Sequence, residues 1–249
     1  MEKNRKLLGI LGGLGPMATV YFYEMLTSHT KADCDQEHID ILISSRASTP
    51  DRTAFIVGAS GESPIGAMIE EGKRLQNCGV DLISIPCNTA HYFYDELTAA
   101  LDIPVVNILL ETAAHAKRTG AETVGILATE GTVRSGAYAH VCQQVGINCI
   151  VPDEEHQSIL SDMIYGQIKQ GKPADMRKFE RVCDHMISRG ADKLVLGCTE
   201  LSLIKRDNDL GDLFIDSLEV LACRTIALCG KEPVGFDAGL TADEDILKA

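Results

Sequence analysis

The chain has 249 residues, with 36 acidic side chains against 23 basic ones and a formal net charge of −13. A surface of that sign repels a phosphate backbone, so nucleic acid is not expected as a partner. A local pocket of the opposite sign, and so an anionic small substrate, stays open. No apolar stretch reaches the roughly 18 to 20 residues of a membrane span. The basic opening Met1–Lys6 leads into an apolar run broken at once by glycines, unlike a secretory signal, and a cytoplasmic location is expected.

In chain order, short aliphatic or β-branched runs at Leu7–Leu11, Ile39–Ser44, Leu82–Ile85, Val105–Ile108, Thr123–Leu127, Asn148–Val151, Lys193–Leu196 and Leu213–Ile215 read as strands. Helical patterns lie between them. The clearest has Ser63 as N-cap, Pro64 at the first helical position and an end at Gly79. Strands alternating with helices predict an α/β fold with mostly parallel sheets, with ligands beyond the C-terminal strand ends. The tail from Lys231, with its acidic stretch Asp243-Glu244-Asp245, is expected to fray in part.

The second half of the chain echoes the first. Gly9-Ile10-Leu11-Gly12 is matched by Gly125-Ile126-Leu127-Ala128, an offset of 116. The segment from Gly79 to Thr89 is matched by Gly190 to Glu200, an offset of 111. Both copies of this second segment hold a Gly-x-Asp before a strand and a cysteine eight residues after the glycine. Two matches in the same order predict two related α/β halves.

The nine cysteines form no Cys-x-x-Cys, and no histidine stands at zinc-ligand spacing from a cysteine pair. Their odd number argues against a disulfide framework, and most are read as small buried apolar side chains. Cys87 and Cys198 differ because they occupy equivalent strand ends. Two halves related by a pseudo-two-fold axis bring them face to face across the cleft, one sulfur on each side of a substrate carbon. Taking a proton from one face and giving one to the other inverts a stereocentre. A free thiol ionises near pH 8.5, so its surroundings must activate it. Asn88, Thr89 and Thr199 are candidate donors beside the sulfurs or to a substrate α-carboxylate. Thr129 and Thr132, after the strand Thr123–Leu127, are candidates for the α-carboxylate or ammonium, although Thr132 could equally serve as an ordinary helix cap. His91 is expected to cap or pack.

Gly12-Gly13-Leu14-Gly15-Pro16-Met17-Ala18-Thr19, Pro86-Cys87-Asn88-Thr89-Ala90-His91 and Leu196-Gly197-Cys198-Thr199-Glu200-Leu201 together resemble the aspartate/glutamate racemase superfamily. Gly-Gly-x-Gly-Pro and Gly-Cys-Thr-Glu resemble its aspartate racemase branch; glutamate racemases carry Asp-Ser near the first glycines and a histidine after the second Cys-Thr. The resemblance implies two pseudo-symmetric Rossmann-like domains, read as 1–106 plus 216–249 and as 107–215, with the active site in the cleft. It implies racemisation of an acidic amino acid, aspartate before glutamate, with catalytic Cys87 and Cys198, no cofactor, no metal, and a homodimer. It assigns substrate binding to Gly13 and Glu200 within those motifs. It also assigns the side-chain carboxylate of the substrate to Arg52, in Pro50-Asp51-Arg52, and to Lys169.

Two other readings compete. Hydantoin racemases and maleate isomerases keep this architecture and change the reaction. Gly13-Leu14-Gly15-Pro16-Met17-Ala18 also fits a dinucleotide fingerprint. The acidic residue that NAD needs after the second strand is missing there, and Arg46 leaves only an NADP-binding oxidoreductase, which gives the paired cysteines no role.

Overall fold

The computed structural model describes residues 5–236 and residue 240; the acidic stretch Asp243–Asp245 lies outside them. Two all-parallel sheets organise the chain. The first has the order β2-β1-β3, from Asp40–Ser45, Leu7–Gly12 and Leu82–Ser84. The second has the order β5-β4-β6-β7, from Asn148–Ile150, Thr123–Leu127, Lys193–Leu196 and Phe214–Asp216. Helices connect the strands: α1 Pro16–Ser28, α2 Arg52–Ile56, α3 Ile65–Asn77, α4 Tyr94–Ala99, α5 Ile108–Arg118, α6 Glu130–Ser135, α7 Ala137–Val145, α8 Glu154–Ser161, α9 Met176–Ser188, α10 Ser202–Asp207 and α11 Ser217–Leu228. The expected α/β class with two parallel sheets is what the chain adopts. Among the described residues, no helix is long and apolar enough to cross a membrane.

The echo between the halves has a physical basis. Gly79 and Gly190 follow α3 and α9 with φ of 84° and 97°, the left-handed conformation that ends a helix without a Cβ clash. Two residues on, Asp81 accepts the N–H of Leu7 at 2.7 Å, and Asp192 accepts those of Glu122 and Thr123 at 2.8 and 2.9 Å. Each Gly-x-Asp therefore ends a helix and pins the start of the central strand, β1 or β4. The neighbouring strand then runs parallel to it and delivers a cysteine at its far end.

Two expectations shift. Val105–Ile108 is not a strand: a single parallel bridge joins Ile83 to Val105. Asn107 then accepts the N–H groups of Leu109 and Leu110 and starts α5, so the helix cap takes residues a strand would need. Likewise α3 begins at Ile65 with Pro64 in the cap position, and the Ser63 hydroxyl makes only a long 3.5 Å contact to the Ile65 N–H.

One apolar core joins the two sheets. Leu8, Ile10, Phe22 and Leu26 meet Leu109, Ala113, Ile126 and Leu221 in it. Separate clusters cover the outer faces, around Met68, Ile83 and Phe93 on the first sheet and around Leu160, Phe179 and Val182 on the second. The buried pair Arg224–Glu111, at 3.2 Å, ties α11 to α5.

The halves also touch backbone to backbone. A Cβ on Gly131, in the first turn of α6, would lie 2.8 Å from Thr53 Cα of α2, where no flexible side chain can yield. Gly131→Ala is expected to lower folding stability by about 1–3 kcal/mol, as overpacking does. Gly66→Ala, in α3 with nothing within 4 Å of the new methyl group, is expected to raise it by about 0.4–1 kcal/mol. Urea denaturation of the two variants reads both, and equal midpoints would refute the close interdomain approach.

Candidate active site

Both cysteines reach one chamber. Cys87 follows β3 and Cys198 follows β6, both are buried, and both line a cavity of about 10 Å³ between the sheets. The two turns make direct contact across the cleft: the Thr199 hydroxyl donates to the carbonyl of Pro86 at 3.2 Å. Arg52, Asn88, Thr89, Thr129, Lys169, Thr199 and Glu200 line the same cavity.

Around Cys198 the chemistry is specific. Its Sγ–H donates to Glu200 Oε2 at 3.0 Å, and Glu200 Oε1 holds the Lys169 ammonium. Burial pushes the Cys198 thiol well above its ordinary range, and the Glu200 carboxylate adds to that, while Lys169 pulls the other way. Burial works against the charge on Lys169, yet Glu200 outweighs it, aided by both cysteines, so the ammonium is held above its usual range. Lys169 is thus a positive charge near both sulfurs. It reaches the cavity from a turn at Ile168–Gln170, directly after a π-helical turn at Asp162–Gln167 that carries Tyr165. Irregular helix of this kind re-aims side chains that a regular α-helix would direct elsewhere.

Arg52 is buried and donates to three backbone carbonyls: Leu14, Thr49 at 3.3 Å and Pro50 at 3.0 Å. Its Nε–H has no partner, and among the described residues its charge forms no ion pair. A buried cation without a counter-ion is costly, and one on a cavity-lining residue suits an anion that arrives.

The hydroxyls of Thr89, Thr129 and Thr132 form a triangle with sides of 2.8, 2.9 and 3.1 Å. Thr129, the N-cap of α6, accepts the N–H of Thr132. Thr132 itself stands behind the cavity wall, so of the expected ligand groups Thr129 faces the chamber and Thr132 supports it. Gly13 does not line the cavity either. It turns with φ of 79° where a Cβ would meet the Arg46 backbone N at 2.5 Å. Gly15 is needed for a different reason, since a Cβ there would lie 2.5 Å from Glu200 Oε1. The glycine turn is thus filled by Arg46 backbone and the Glu200 side chain, and the Arg46 guanidinium is engaged by Glu70 and Glu71. That leaves the dinucleotide reading neither a cradle for phosphates nor a cation for a 2′-phosphate.

The Asn88 amide is spent on protein groups: it donates to Ser217 Oγ at 2.9 Å and accepts from the Tyr138 hydroxyl at 2.6 Å. His91 is a buried strut, with Nδ1 2.9 Å from the Cys87 carbonyl and Nε2 receiving the N–H of Ile108 at 3.3 Å. Burial holds this imidazole below its usual pKa, in keeping with a neutral ring. Leu14, Asp51, Thr53 and Tyr165 also line the cavity. Sequence reasoning passed over them. Asp51 and Thr53 flank Arg52 and could have been included with it, whereas nothing in a helical pattern singles out Tyr165.

The profile of the Asp/Glu/Hydantoin racemase family matches residues 11–225. The structure of Picrophilus torridus aspartate racemase has a TM-score of 0.81 and 34% identity to this chain, covering 92% of it and 96% of its own length. The broad specificity amino-acid racemase RacX of Bacillus subtilis is 28% identical over 230 residues, 89% of this chain and 97% of its own. Francisella tularensis glutamate racemase, in complex with D-glutamate, shares the fold with a TM-score of 0.64 at 22% identity over 90% of this chain and 81% of its own. A profile match spanning both halves and both cysteine turns leaves one assignment: the chain is a member of the Asp/Glu/hydantoin racemase family.

Proposed function

We propose that this protein racemises an acidic amino acid, aspartate in the first place and glutamate next, without a cofactor and with Cys87 and Cys198 as a thiolate/thiol pair. One observation carries the reading: two cysteines from equivalent strand ends share one cavity with a buried arginine whose Nε–H has no partner. The relatives' names, an aspartate racemase and a broad specificity amino-acid racemase, support the same class of reaction. The reading extends to the unit boundaries 1–106 with 216–249 and 107–215, and to a homodimer in the cytoplasm.

The steps balance as a two-base exchange. Glu200 takes the Sγ proton of Cys198, and the resulting thiolate removes the α-proton of one enantiomer. The electron pair left at Cα spreads into the α-carboxylate, and the Cys87 thiol returns a proton to the opposite face. Cys198 then holds the abstracted proton, Cys87 is the thiolate and Glu200 keeps the proton it took; the other enantiomer enters at this state and runs the sequence in reverse, which ends with Glu200 returning its proton to the Cys198 sulfur. Lys169 offsets negative charge on either sulfur. The Arg52 guanidinium receives the side-chain carboxylate, and the hydroxyls of Thr89 and Thr129 receive the α-carboxylate, while Thr199 spends its hydroxyl on the Pro86 carbonyl and holds the two turns together. A chamber of about 10 Å³ holds no more than one water, so the cleft opens for substrate and closes for reaction.

Reduced protein incubated with L- or D-aspartate in D2O, with no added cofactor, is expected to racemise it with deuterium at Cα. Cys87→Ser and Cys198→Ser are each expected to lose about 10²–10⁴-fold in turnover. Racemisation surviving in either variant sinks the two-thiol mechanism. No exchange with aspartate or glutamate removes acidic substrates, and hydantoins and maleate then become the substrates to test.

Arg52→Lys is expected to raise KM for aspartate about 10- to 100-fold with a smaller change in kcat, because a point charge replaces a planar donor at a buried site. An unchanged KM would place carboxylate recognition elsewhere. Glu200→Gln is expected to lower kcat/KM by about 10²-fold or more. The fall must be equal from both enantiomers, whose equilibrium constant is 1, and steady-state rates from each side check this.

A further inference from the structure

A buried carboxyl that the reaction above does not use sits behind both cysteine turns. Asp216 ends β7 and caps α11, accepting the N–H of Leu218 at 2.8 Å on Oδ1. The same oxygen accepts the Ser202 hydroxyl at 2.6 Å, and Ser202 opens α10, directly behind Cys198-Thr199-Glu200-Leu201. Oδ2 is buried and has no hydrogen-bond partner. The next residue, Ser217, has no solvent exposure. Its hydroxyl donates to the Leu196 carbonyl at 2.7 Å, at the end of the strand that delivers Cys198. It also accepts from Asn88 Nδ2 at 2.9 Å, next to Cys87. Two consecutive residues at the junction of β7 and α11 are thus hydrogen-bonded to the turn behind each sulfur.

We propose that Asp216 and Ser217 are positioning residues for the racemisation: they hold the Cys87 and Cys198 turns in register across the cleft. The proposal rests on the two-cysteine reading. Neither residue lines the cavity, so each acts through Asn88, Ser202 and the Leu196 carbonyl. Alternating the two protonation roles requires both sulfurs to keep their distances to a single carbon, and errors near 1 Å are costly for such chemistry.

The groups facing the Asp216 carboxyl are Ser202 and Lys205 of α10, Glu219 and the Leu218 N–H of α11, and Tyr21 of α1. Burial pushes Asp216 up to about 7, with Glu219 adding to the rise, while Ser202, the Leu218 N–H and Lys205 oppose it. The ionised form accepts the Ser202 hydroxyl more strongly than the neutral form, because a charged acceptor roughly doubles the bond. The hold on the Cys198 turn therefore tightens as pH rises through neutrality.

The experiment uses Ser217→Ala, Ser217→Thr and Asp216→Asn in the full chain. Asn keeps one oxygen for Ser202 and the Leu218 N–H and removes a buried charge, so Asp216→Asn is expected to stay folded. Ser217→Ala is expected to lower kcat about 10- to 100-fold from both enantiomers with little change in KM, and Ser217→Thr to restore it. The ratio of wild-type to Asp216→Asn kcat is expected to rise with pH around 7. A purely structural role would lower the melting temperature and leave kcat and its pH profile at wild-type values, and that result overturns the proposal. A second measurement needs no amino-acid substrate: the rates at which iodoacetamide alkylates Cys87 and Cys198, resolved by mass spectrometry. Both rates are expected to change together in Ser217→Ala, although Ser217 touches neither sulfur. If the wild-type protein racemises nothing, the functional reading fails while alkylation still decides the joint; if alkylation is unchanged, the joint fails whatever the substrate.

Discussion

A guanidinium held away from water with no carboxylate beside it sets the terms for the rest of the chamber. Three backbone carbonyls, from Leu14, Thr49 and Pro50, orient Arg52 and partly offset its desolvation, but carbonyl dipoles do not neutralise a charge. The deficit is met by whatever anion enters. On the proposed reading, that requirement favours an acidic ligand over a neutral one even though the protein carries a net charge of −13. The chamber lining sets Arg52 and Lys169 against Asp51 and Glu200, and Lys169 is paired with Glu200.

The second charge system is internally balanced, and therefore adjustable. Lys169, Glu200 and Cys198 form a hydrogen-bonded chain in which one carboxylate accepts from both the ammonium and the thiol. Gly15 is part of this system, because a side chain there would displace Glu200. The first half of the chain supplies Thr89 at the position where the second supplies Glu200. The pseudo-symmetry of the backbone is therefore broken at the residue that accepts the Cys198 thiol's hydrogen bond.

Much of this was legible before any coordinates. The repeated Gly-x-Asp and the cysteine eight residues later declared the two-sheet plan, because a left-handed helix end and a pinned strand start need those residue types at that spacing. Arg52, Lys169 and Glu200 were legible by resemblance, and all three line the cavity. What remained hidden depended on contacts distant in sequence. Nothing local says that the Asn88 amide is committed to Ser217 and Tyr138, or that a π-helical turn directs Tyr165 inward. The strand expected at Val105–Ile108 misled for a simpler reason. Its composition suits a strand, but Asn107 is a better helix cap, and the cap won.

The unequal partners of the two sulfurs have a consequence for how turnovers succeed one another. On the proposed reaction, a molecule that has just converted L to D is left with its protons arranged to accept D. Before it can take a second L it must reshuffle a proton between sulfurs. Glu200 offers an internal route at one sulfur, whereas Thr89 offers the other no carboxylate. An enzyme of this design carries a short memory of the last enantiomer it released, and that memory is erased from one side of the cleft.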